Sequence, residues 1–85
     1  MVYAFQVDKG KFKNKLKEHY SPYIVDGNIT LMRCYEMFCI DLGICQKTIY
    51  NFMNNKYSLK LLMRINELLN IEDIEEIFKE IDLSR

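Results

Sequence analysis

Three cysteines (Cys34, Cys39, Cys45) and one histidine (His19) are the side chains of this 85-residue chain that would first be tried as a metal site or a nucleophile–base pair. The cysteines lie five and six residues apart, without the tight CxxC pairing that structural zinc prefers. Cys34 and Cys39 are expected to fill core space as small apolar groups. A lone histidine among lysines lacks the oriented pocket that cysteine–histidine catalysis needs. No glycine-rich loop is present to cradle a phosphate. The acids near the C-terminus read as the solvated face of a helix, not as an acid/base pair. No enzyme, no metal and no cofactor is therefore expected.

A second constellation is more informative. Gln46, Lys47, Tyr50, Asn51 and Asn54 recur at i, i+1, i+4, i+5 and i+8, which puts them on one face of a helix. Ile49, Phe52 and Met53 occupy the opposite face. An apolar stretch over 31–42 precedes this segment and stops at Gly43, a residue suited to a helix C-terminus. Ile44 and Cys45 then form a short turn. A braced helix followed by a tight turn and a helix with a wet polar face is the helix-turn-helix arrangement. Such a protruding rod fits the ~12 Å major groove of duplex DNA.

The stretch Phe38 to Lys56 resembles the XRE family of phage-repressor-type and Cro-type helix-turn-helix domains. That family often reads leucine-alanine, three residues, glycine-valine/isoleucine-serine, a threonine-isoleucine pair, an aromatic or aliphatic residue, and asparagine-glycine-lysine. The matching residues here are Phe38-Cys39, Leu42-Gly43-Ile44-Cys45, Thr48-Ile49, Phe52 and Asn54-Asn55-Lys56. Leucines and isoleucines over 59–74 resemble the family's later helices, so the likeness spans residues 31–82. Cys45 stands where a capping serine or threonine is usual, and Asn55 where glycine is usual.

The resemblance implies roles. Gln46, Lys47 and Thr48 would sit at the start of the recognition helix, within first reach of bases and phosphates. Gln46 would suit adenine, Tyr50 a thymine methyl, and Asn51 a base one turn further on. Asn55, Lys56 and Lys60 would hold phosphates. The bland reading of each polar residue is plain solvent exposure.

The elements that must position this face follow from local signals. Tyr3-Ala-Phe-Gln-Val7, with Val2 before it, is short and β-favouring and reads as an extended arm or as a strand in need of a partner, for which a second copy is one answer. Asp8 or Gly10 opens a basic helix to Tyr20, with Phe12, Leu16 and Tyr20 as its apolar stripe. Its lysines at 9, 11, 13, 15 and 17 spread around the helix, either as a solvated surface or as phosphate contacts. Pro22 ends it and a loop runs to Asn28. Asn28 or Thr30 caps helix 31–42, where Leu31, Cys34, Tyr35, Phe38 and Leu42 face inward. Met32, Met37 and Ile40 make that helix apolar all round, so the N-terminal segment or a second subunit should cover it. The helix expected to read the groove spans 46–54, and Asn54-Asn55 turns through the left-handed region. Ser58 caps helix 59–69, with Leu59, Leu62, Met63, Ile65, Leu68 and Leu69 inward. Glu72-Asp73 opens a last helix with the stripe Ile74, Ile77, Phe78 and Ile81.

Eighty-five residues at 49% apolar and 28% charged make one globular domain. Its first 29 residues form arm, basic helix and loop. The expected fold is an all-α bundle of about five short helices containing a helix-turn-helix, with the N-terminal arm or strand. Net charge is zero, yet residues 1–64 carry +5 and residues 65–85 carry −5, so a polyanion is approached from one side only. No apolar run nears the ~18 residues of a membrane span. No leader is recognised at Met1–Val7, and a cytoplasmic protein with reduced thiols is expected.

Together these point to a sequence-specific double-stranded-DNA-binding transcriptional regulator of a phage, plasmid or other mobile element, working as a homodimer. The alternatives are an accessory DNA-binding protein at a plasmid replication or transfer origin, and a helix-turn-helix fold turned to protein binding, antitoxin-like, through its acidic C-terminal helix.

Overall fold

The structure, a computed structural model, describes residues 3–82; Val2, the first residue of the expected arm, lies outside them. The element order is β1 (Tyr3–Val7), α1 (Lys9–Tyr20), a 3-10 turn (Ser21–Tyr23), α2 (Leu31–Leu42), α3 (Gln46–Met53), α4 (Leu59–Leu68), a second 3-10 turn (Ile74–Glu76) and β2 (Phe78–Asp82). The chain is thus mostly helical, with a two-stranded antiparallel sheet in register from Tyr3↔Asp82 to Val7↔Phe78.

Helices α1, α2 and α4 each start where a side chain satisfies a free amide. Asp8 accepts from the Lys11 amide (3.2 Å), Thr30 from Arg33 (3.3 Å) and Ser58 from Leu61 (3.2 Å), each cap being worth about 1 kcal/mol. Gly43 closes α2 at φ 66° and Asn55 follows α3 at φ 64°, the left-handed turns that glycine and asparagine supply. In the loop before α2, Arg33 Nη1 lies 2.8 Å from Asp26 Oδ1 and donates to the Asn28 carbonyl at 3.1 Å.

The core is aromatic. Phe12 meets Phe38 and Phe52 at ring-centroid distances of 5.8 and 5.1 Å, and Phe52 meets Tyr57 and Phe78 at 4.9 and 6.2 Å. Leu16, Tyr20, Cys34, Ile49, Ile65 and Ile77 close around them. Tyr20 donates its hydroxyl to Asp41 Oδ2 at 2.6 Å, so a large ring enters the core without losing its polar partner.

Three expectations are corrected. Residues 72–82 do not form a fifth helix: among the described residues the acids expected on a C-terminal helix lie instead at a 3-10 turn and on a strand. Glu76 Oε2 accepts from the amides of Glu72 (2.7 Å) and Asp73 (3.0 Å), and Asp73 Oδ1 accepts from Glu75 (3.0 Å). This box closes a single turn. Beyond it Ile77 accepts from the Asp8 amide at 2.9 Å and the chain runs on as β2, giving β1 the partner a lone strand lacks. The arm therefore pairs within its own chain. Second, the N-terminal segment does not cover α2 on all sides: Ile40 is 80% and Met32 50% exposed, while Met37 is half-buried. Third, α4 is rotated relative to the expected stripe. Leu59 and Met63 face solvent, and Ile65 and Leu69 are its buried anchors. Leu59 sits in the first turn, beyond the edge of the core.

Candidate nucleic-acid interface

The short helix α3 is held by Ile49, Phe52 and Met53, all buried. Its other side carries Lys47, Tyr50 and, just past its end, Asn54, all exposed; Gln46, Thr48 and Asn51 are half-buried. The polar face expected from spacing is therefore present, with its wettest part at positions 47, 50 and 54.

Neighbouring elements fix several of these side chains. Gln46 Nε2 lies 3.6 Å from the Met32 Sδ, which sets it against the first turn of α2. Thr48 Oγ1 lies 3.4 Å from the Cys45 Sγ. The Thr48 hydroxyl, with the nearby backbone amides of Thr48 and Lys47, favours the thiolate and holds the exposed Cys45 thiol below its ordinary pKa. No side chain caps α3 at Cys45. The Tyr50 ring stands edge-on to Tyr35, centroids 6.1 Å apart, and Tyr35 is pushed up in pKa by burial.

The phosphate-holding set divides. Lys56 and Lys60 are exposed. Asn55 is exposed and held in place by another contact: its Oδ1 accepts from the Val7 amide at 2.8 Å, tying the end of β1 to the turn after α3. Its side-chain nitrogen, the group that would donate to a phosphate, is not used by that bond.

The structure also brings up residues that the spacing of α3 does not reveal. Lys9 and Lys13 of α1 line a cleft of about 360 Å³ with Leu31, Tyr35, Tyr50 and Asn54. Alternation of lysines along α1 was the only signal, and it does not say which of them turn toward α3.

Elsewhere the reactive side chains are dispersed. Cys34 is buried, Cys39 half-buried and Cys45 exposed, and burial raises the first two thiols. His19 stands edge-on to Tyr20 at 4.7 Å. Among the described residues no three His, Cys, Asp or Glu side chains converge as a metal cluster, and no helix is long and apolar enough to cross a membrane. Comparison with known proteins gives no match to a family model, a curated protein or a solved structure.

Proposed function

We infer that the chain is a sequence-specific, double-stranded-DNA-binding regulator, not an enzyme, which lays α3 in the major groove. The single observation that supports this is α3 itself. It is anchored by three buried residues and reached through a left-handed Gly43 turn, and it leaves Lys47 and Tyr50 uncovered. In this reading α2 and α3 are a helix-turn-helix of the XRE-like kind, with α2 bracing and α3 reading. Gln46, Lys47, Tyr50 and Asn51 meet base edges, and Lys56 and Lys60 meet phosphates. A homodimer would set two such helices one turn of DNA apart. The origin-accessory alternative uses the same surface and differs only in what is regulated.

The test is the double substitution Lys47→Ala with Asn51→Ala. Neither side chain belongs to the buried core, so the urea midpoint should hold. Affinity for a duplex selected from a random pool should fall tenfold or more, because each good base contact is worth about 1–3 kcal/mol. Unchanged affinity in a folded double variant removes the assignment of α3 as the reading helix.

A further inference from the structure

The lysines of α1 alternate along the sequence, and the fold sorts them into two sets. Lys15 Nζ lies 2.9 Å from Glu76 Oε1, and Lys11 Nζ donates to the Glu75 carbonyl at 3.1 Å. These two fasten the acidic segment to α1. Lys9 and Lys13 point the other way and make no ion pair among the described residues.

Lys9 and Lys13 are one helical turn apart, so two like charges stand side by side, an arrangement that costs a helix stability. No acidic side chain lines the cleft they share with Tyr35, Tyr50 and Asn54. Leu31 and the buried Tyr35 supply apolar lining. A second cleft, of about 410 Å³, adjoins at Lys9 and Asn54 and adds Lys79 of β2; the Asp8 carboxylate on its wall already accepts from the Lys11 amide. An uncompensated pair of ammonium groups over an apolar wall suits a phosphodiester, with its charge at the lysines and its sugar against the rings.

We propose that Lys9 and Lys13, with Tyr50 and Asn54, form a seat for a backbone phosphate of the DNA strand bordering the groove that α3 enters. This rests on the function inferred above and extends the contact surface from α3 onto α1. Lysine acts as a point charge at such a site. The seat therefore adds affinity for any sequence and sets the register of the protein on the duplex. Fastening Lys11 and Lys15 to residues 75 and 76 keeps the acidic segment on the far side of α1, away from the approaching polyanion.

The experiment is the salt dependence of binding to two duplexes, one selected from a random pool and one unrelated. It compares the unmodified chain, Lys9→Gln/Lys13→Gln, and Lys17→Gln. Lys17 is exposed on the same helix and lines neither cleft. Each phosphate contact contributes about 0.9 to the slope of log K against log salt. The double variant should therefore lose about one unit of slope on both duplexes and keep the ratio between them, while Lys17→Gln keeps the full slope. A full slope in the folded double variant, or an equal loss in Lys17→Gln, overturns the seat and leaves α3 as the reader. Absence of binding to either duplex by the unmodified chain overturns the DNA-binding reading itself, and the seat with it.

Discussion

Residues 46–56 and residues 72–82 touch through Phe52 and Phe78, whose rings lie 6.2 Å apart, and they serve opposite ends. The first region turns a polar face outward from a buried apolar one. The second turns inward and locks: its acids close on its own amides and on Lys15, and its strand completes the sheet. The capping is reversed from what their lengths suggest. The eight-residue α3 starts without a side-chain cap, while the three-residue turn 74–76 has a full capping box. A helix anchored by three core residues tolerates an open N-terminus; one turn of 3-10 helix has too few hydrogen bonds of its own and depends on its cap.

The largest expected effect tests whether both regions belong to one cooperative unit. Phe78 is 2% and Phe52 0% exposed, and truncating a buried phenylalanine to alanine costs about 3–5 kcal/mol. Phe78→Ala should lower the urea-derived stability by that amount, comparably to Phe52→Ala. A loss under about 1 kcal/mol, the ordinary size for a random substitution, would make 72–82 an appendage and dissolve the comparison.

The same two regions mark what the sequence made legible. Over 31–68 the spacing, the Thr30 and Ser58 caps and the Gly43 and Asn55 turns all agreed with the backbone that forms, because each signal acts within a few residues. Over 72–82 the stripe Ile74, Ile77, Phe78, Ile81 carried a helical period, and it named three of the chain's inward or partly inward side chains while misnaming the backbone. Ile77 and Phe78 are buried in succession, one at the end of the turn and one in β2. What decided the matter is a contact across the whole chain, β1 with β2, which no local window contains. The candidate site divides likewise. The outward face of α3 was readable from its period, but the engagement of Asn55 with Val7 and the arrival of Lys9 and Lys13 beside Tyr50 depend on tertiary placement.

A smaller change sharpens the capping contrast. Cys45→Ser puts a hydroxyl at the N-cap of α3, where it is placed to accept from the Thr48 amide. A good N-cap is worth about 1 kcal/mol, so the variant should gain about that in urea-derived stability. No gain would mean that the Cys45–Thr48 contact already does the work of a cap, and the two regions would then differ less than their hydrogen bonds indicate.

The smallest effect concerns the lock itself. Hydrogen bonds from the Asp73 amide, the Lys15 ammonium and the Glu72 amide hold the Glu76 carboxyl down to about 2, from an ordinary 4.5. A depressed carboxyl stabilises the fold fully above its unfolded value and loses that contribution as pH falls toward its folded value. Lys15 is shifted upward, chiefly by its hydrogen bond to Glu76, so its share is present below its ordinary value and lost as pH rises beyond it. Glu76→Gln keeps an oxygen for the amides of Glu72 and Asp73 and removes the charge together with the oxygen that accepts from Lys15. Lys15 and Glu76 side chains are 24% and 32% exposed, so water and salt screen the pair and the effect at neutral pH is modest. The stability difference between the unmodified chain and Glu76→Gln should therefore be level near neutrality, shrink as pH falls from about 4.5 toward 2, and shrink again in strong alkali. A difference that stays flat through the acid range would show that the amide bonds alone hold the turn, and that Lys15 is as free as Lys9 and Lys13 to meet a phosphate.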